Sequence, residues 1–312
     1  MSGRQWLAVL AAAVIGGGAS AVIASCGEDD GDVQIEGSTT GTTGTGTTGT
    51  GTGSVTVDTS ATSAEGLERA MAQVTAYARG QTADLVGATV ALQKAVDAGS
   101  VQQAKNAYAA SRPFYERIEP LVALFPELDG KIDAREDDFP KKAKDPTWTG
   151  FHPIERMLWH DGRITPRTKV LAAGLVADSR TLQRRMDEVT VTPEVVIPGT
   201  AELVDEIEES KITGEEERYS KLDLPTFLAN LEGAQEFYDA LAPLVQDKDP
   251  ELADEISDAF RAAFEEVDSL REGGEFPAYD ELSDAQQREV KQTIEALAEP
   301  LARVQGTLGV QG

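Results

Sequence analysis

The sequence predicts an all-α protein, an antiparallel helical bundle made of one or two four-helix bundles. Three observations predict it. From Ser63 onward apolar residues recur at helical intervals. No segment shows a sustained alternation of apolar and polar residues, the mark of a half-buried strand. Pro, Gly and Ser/Asp punctuate the chain where helices start and stop. Hydrophobic residues make up 40% of the chain, enough to build a core over about 250 residues.

The elements follow in order. Residues 63–98 place Leu67, Met71, Val74, Tyr77 and Ala78 on one face, then Leu85, Ala88, Leu92 and Val96, and Gly99 closes the helix. A second helix covers 100–125, with Pro113 and Pro120 as kinks or ends. A shorter one fits 127–139, and another starts near Pro153, since proline suits a first helical turn. Further helices are expected at 166–189, 199–211, 223–246, 250–271 and 282–307. The last opens on a Ser/Asp signal, Ser283-Asp284. Residues 189–199, VTVTPEVVIPG, read as a loop or an extended piece.

Ahead of the helices lies a different texture. Arg4 precedes an apolar run from Trp6 to Ile15, too short to span a bilayer, and small residues lead to Cys26. This reads as a lipoprotein signal peptide over 1–25, with Cys26 as the lipidated residue of an exported protein anchored to the outer face of the membrane. Cys26 is the only cysteine, so neither an intrachain disulfide nor a thiolate metal site is available. Residues 26–62 are rich in Gly and Thr, and the stretch 37–54, GSTTGTTGTGTTGTGTGS, has no apolar content to bury. They read as a tether with a reach of about 30–35 Å. Residues 63–312 form the folded, all-helical domain.

The charge balance restricts the partners. There are 28 Lys+Arg against 54 Asp+Glu, a net charge of −26. That sign opposes binding to nucleic acid or to an anionic membrane surface and suits a soluble protein or a cation binder.

Both histidines, His152 and His160, fall in one segment, TGFHPIERMLWHDG. Helical bundles build metal sites from carboxylates and histidine, with Glu and His at i, i+3 as a recurring unit. His152 and Glu155 have that spacing on one face. Glu116 and Glu119 have it too, beside Phe114, Ile118 and Leu121, on a stripe that faces inward. Buried carboxylates need compensation. They either hold a cation, or are exposed or paired with Arg112 or Arg117. Two acidic runs add Asp133, Glu136, Asp137 and Asp138, and Glu215, Glu216 and Glu217 beside Tyr219. Each reads as a solvated face or as a ligand source. His160 lies on the order of 12 Å from His152 if the helix continues. Sites with two or three histidines are therefore not available. H-x-x-E-H would need histidine where Arg156 stands, and HExxH and G-x-S-x-G are absent. One histidine among carboxylates is a hard, oxygen-rich set, suited to iron, manganese, calcium or magnesium, with zinc also accommodated.

Four separated motifs, YERIEP, IDAREDDF, TGFHPIERMLW and KITGEEERYSKLDLPTFLANLEGAQ, resemble in order and spacing the imelysin-like domain of the EfeO/EfeM family. The resemblance covers about residues 63–307 and implies two four-helix bundles. It also implies an iron-binding, non-enzymatic component of an EfeUOB-type uptake system, in the periplasm or on the cell surface. Its partners would be a membrane iron permease and a haem peroxidase. The implied ligands are His152, Glu155, Glu116, Glu119, Asp133 and Glu215, holding Fe2+ or Fe3+, or zinc or another divalent cation. No cupredoxin-like domain precedes the helices, so the chain resembles the shorter EfeM form. Two other functions are kept as alternatives. One is binding of an anionic polysaccharide through bridging cations; the other is an imelysin-type metallopeptidase.

Overall fold

The structure, a computed structural model, describes residues 59–310 except residue 210. The predicted signal peptide, Cys26 and almost all of the tether lie outside the described residues. The helices are α1 (Thr59–Asp97), α2 (Val101–Glu116), α3 (Glu119–Val122), α4 (Pro126–Ile132) and α5 (Phe151–Trp159). They continue with α6 (Pro166–Glu188), α7 (Pro193–Glu209), α8 (Asp223–Lys248), α9 (Pro250–Ser269) and α10 (Asp284–Leu308). Among the described residues there is no strand, only an isolated bridge between Glu272 and Glu275. The protein is all-α, as predicted. Among the described residues no helix is long and apolar enough to cross a membrane.

The helices pack as two bundles that share a seam. In the first, α1 packs against α2 and α6, and the short helices α4 and α5 complete the fourth side against α6 and α2. In the second, α7, α8, α9 and α10 form a closed ring of neighbours. Helix α8 also packs on α1 and α2, so it belongs to both cores. On α1, the residues Val74, Ala78, Leu85, Leu92 and Val96 are all buried, which is the apolar stripe read from the sequence.

Three elements differ from expectation. Residues 193–199, expected as a loop, are the start of α7, and Pro198 lies inside the helix. Val196, Ile197 and Val204 are fully buried there, so packing of a β-branched run against the second bundle overrides its weak helix propensity. Pro113 does not end α2, which runs to Glu116; the chain breaks at Arg117–Ile118 and restarts with Glu119 as the first residue of α3. The helix expected over 127–139 stops at Ile132, and Asp133 is its C-cap.

Two glycines position the site. Gly150 has φ +91°, and a Cβ there would lie 2.1 Å from the carbonyl oxygen of Ile132. Only glycine lets the start of α5 touch the end of α4, which sets His152 beside Asp133. Gly233 of α8 touches the break after α2, where a Cβ would lie 2.3 Å from the carbonyl oxygen of Arg117. That contact brings Glu116 and Glu119 against α8.

Candidate metal centre

Five pieces of chain converge on one buried ionic cluster. Helix α2 presents Tyr108, Arg112 and Glu116 at successive i, i+4 positions, all buried. The C-cap of α4 supplies Asp133, and the first turns of α5 supply His152 and Glu155, all buried. The connection from α7 to α8 supplies Lys211, Glu216 and Glu217, each at 0% exposure. Helix α8 closes the far side with Asn230.

Arg112 is the hub. Its guanidinium pairs with Glu116, Asp133, Glu216 (2.9 Å) and Glu217 (2.6 Å). Its flat face lies over the Phe151 ring, 4.9 Å from the centroid. A planar fork of donors suits this task, whereas an ammonium offers a point charge. Glu217 also accepts from Tyr108 Oη at 3.2 Å and Ser220 Oγ at 2.7 Å. Asp223 Oδ1 accepts the Glu217 backbone N–H at 3.2 Å and fixes the turn. Arg135 pairs with the other oxygen of Glu216.

The imidazole of His152 stands between carboxylates. Nδ1 lies 3.4 Å from Glu155 Oε2, and Glu155 Oε1 accepts the backbone N–H groups of Tyr219 (2.8 Å) and Ser220 (2.7 Å). Glu155 is therefore clamped and orients the ring. Nε2 lies 3.4 Å from Asp133 Oδ1 and 3.8 Å from Glu216 Oε1, and it has no hydrogen-bond partner although it is buried. Asp133, His152 and Glu216 each offer a ligand atom, all within 4.8 Å of one another. Metal–ligand bonds of about 2.0–2.2 Å place neighbouring ligand atoms about 3.0–3.6 Å apart, so His152 Nε2 and Asp133 Oδ1 already have that spacing at 3.4 Å, while Glu216 Oε1, 3.8 Å from Nε2, would close in on a shared ion. A small cleft lined by Trp148, His152, Glu155, Glu216 and Tyr219 leads to this point.

The electrostatics carry the stamp of burial. Burial would drive His152 towards its neutral form, but Asp133 and Glu155 more than offset this and push its pKa up to about 10. Burial pushes Glu116 up to about 7 and Glu217 up to about 8, against the pull of Arg112. Burial also opposes the charge on Asp133, yet Arg112 and His152 hold it well below the usual carboxylate range. Glu216 is lowered despite burial, by Arg135 and Lys211. Asp223 is pushed up to about 7 by burial.

The residues expected from the sequence are distributed as follows. Asp133, His152, Glu155 and Glu116 lie in the cluster. Glu119 lies at its edge, where its carboxylate takes the Lys211 ammonium at 2.6 Å. Glu215 is 59% exposed and reaches Arg218 at 3.3 Å, while its neighbour Glu216 points inward. His160 is the C-cap of α5, mostly exposed, and bonds Asp161 at 3.0 Å, outside the cluster. The sequence reading did not single out Lys211, Asp223 or Tyr108. It named Arg112 only as one pairing option for Glu116, and Glu216 only within a run of three glutamates.

The sequence model of the imelysin family, classed among the M75 peptidases, matches residues 70–304, which include every residue of this cluster. The chain belongs to the imelysin family. It is also similar to the iron uptake system component EfeO of Escherichia coli K12, with 44% identity over 239 residues, 75% of this chain and 62% of that protein. The EfeO proteins of Shigella flexneri and Shigella sonnei (strain Ss046) match with the same figures. The chain thus spans 62% of the length of these curated relatives.

Proposed function

We propose that this imelysin-family chain is the iron-binding component of an EfeUOB-type uptake system. In this reading, exported and held at the membrane by lipid on Cys26, it captures iron and hands it to a membrane permease that works with a haem peroxidase. Iron is the cargo. Asp133 and Glu216 supply oxygen, His152 supplies Nε2, and Glu155 orients the ring and completes the carboxylate wall, with Glu116 behind it. Glu215 sits at the outer rim, on the route in.

The observation that carries this reading is His152 Nε2, a buried nitrogen with no hydrogen-bond partner, facing two carboxylate oxygens at 3.4 and 3.8 Å. A buried polar atom left this way needs a reason, and a cation is the ligand that two carboxylates and an imidazole nitrogen would share. The ring faces carboxylates on both sides, which suits ion holding.

Titration calorimetry of the full chain, stripped with chelator and kept anaerobic, tests it with Fe(II). Wild type should bind, and His152→Ala/Glu155→Ala should lose binding while its circular dichroism stays helical. Equal binding by both proteins would reduce the acidic surface to a nonspecific sponge.

A further inference from the structure

Lys211 is a cation that the iron site does not use. Its side chain is fully buried, which lysine almost never is unless paired. Nζ lies 2.7 Å from Glu116 Oε2, 2.6 Å from Glu119 Oε2 and 3.3 Å from Asn230 Oδ1. Asn230 Nδ2 donates to the same Glu116 oxygen at 3.2 Å and to the Glu116 backbone carbonyl at 3.1 Å. Three elements, α2, α3 and α8, thus build an oxygen cradle around a compact positive charge. Two carboxylates and an amide oxygen are the donors a hard cation would take.

The cradle is wired to the iron site. The second oxygen of Glu116 pairs with Arg112, and Arg112 holds Asp133 and Glu216. Lys211 also shares its connection with Glu216. That connection is pinned where Tyr279 Oη donates to the Ile212 carbonyl at 2.6 Å and Lys221 Nζ donates to the Gly214 carbonyl at 3.4 Å. A like charge in a low-dielectric interior is felt over many ångströms.

We propose that Lys211 is a resident counter-cation that sets the affinity of the iron site: its ammonium neutralises Glu116 and Glu119 in the metal-free chain and opposes an arriving cation. The fold gains a charge balance that holds without metal. The site gains an affinity low enough for its cargo to leave. This inference rests on the proposed iron reading for the identity of the ion.

The test is titration of the full chain with Mn(II), a redox-stable probe, for wild type, Lys211→Met and Lys211→Arg. Lys211→Met should bind at least about tenfold tighter, and Lys211→Arg within about threefold of wild type. A purely structural lysine would weaken binding when removed, so equal or weaker binding by Lys211→Met overturns the proposal. If Lys211→Met fails to fold, Lys211→Met/Glu119→Gln is compared with Glu119→Gln. The double variant should bind at least about tenfold tighter than the single one, and equality overturns the proposal. If wild type binds no Mn(II), the iron reading is decided by the Fe(II) titration above. The Lys211 proposal then stands only if Lys211→Met gains binding, and fails if it does not.

Discussion

Arg112 and His152 show how this protein keeps six carboxylates inside a small volume. Each buried charge has a large desolvation cost, recovered only through close pairing. In the metal-free chain Arg112, Lys211 and Arg135 supply most of that pairing, and the His152 ring adds a contact to Glu155 through Nδ1. The pH dependence of stability follows. Glu116, Glu217 and Asp223 have folded pKa values raised to about 7, 8 and 7, and His152 is raised to about 10. All four bind protons more tightly in the fold than in the unfolded chain. Their stabilisation is therefore full below the unfolded values and is lost as pH rises through the folded ones. Asp133 and Glu216 are lowered, so their contribution is present above about pH 4.5 and fails only in acid. The melting temperature of the chelated chain should fall steadily from pH 5 to pH 9, and Glu217→Gln should flatten that slope. A flat or rising profile would contradict the buried-proton account. At this scale the sequence was partly legible. The His152–Glu155 spacing is visible in a linear chain because helical geometry places that pair on one face of α5, whereas Glu116 and Glu119 flank the break between α2 and α3 and meet only through Lys211. Which of three consecutive glutamates turns inward depends on the turn between α7 and α8, and no periodicity governs that turn. Lys211 gives no local sign of burial, since its partners lie on α2, α3 and α8.

At the scale of the elements, the site exists because short helices meet at tight corners. The end of α4 meets the start of α5 through Gly150, which adopts a left-handed φ and has no room for a Cβ. Gly150→Ala should destabilise the chain by about 2–4 kcal/mol, from strain plus displacement of the Ile132 carbonyl. It should also weaken metal binding by separating Asp133 from His152. Urea denaturation and metal titration on the same variant would check both, and wild-type values for either would show that the corner is dispensable. Long helices such as α1, α6, α8, α9 and α10 were legible because an amphipathic stripe over many turns leaves one reading. The start of α7 was not, because residues 193–199 combine β-branched residues and two prolines, and only burial against the second bundle makes them helical. The break at Arg117–Ile118 was legible in part, because Pro120 marks it from the first turn of α3 while Pro113 is carried inside α2. Pro120 cannot donate to the Glu116 carbonyl, and the bare backbone of Gly233 on α8 makes room for the resulting corner.

At the scale of the whole molecule, the ionic cluster lies inside the first bundle and is closed by a connection that belongs to the second. Helix α8 is common to both cores, so the two bundles share a seam at the site. A surface of net charge −26 draws cations towards this seam, and the buried cluster gives them one place with a nitrogen ligand. The central claim is that iron sits between His152, Asp133 and Glu216. Anomalous diffraction at the iron edge, on crystals of the iron-loaded chain, tests it most directly. The account predicts one strong peak about 2.0–2.3 Å from His152 Nε2 and within bonding distance of Asp133 and Glu216 carboxylate oxygens. A peak held by Glu215, Glu136 or other surface carboxylates, with His152 unliganded, would contradict it.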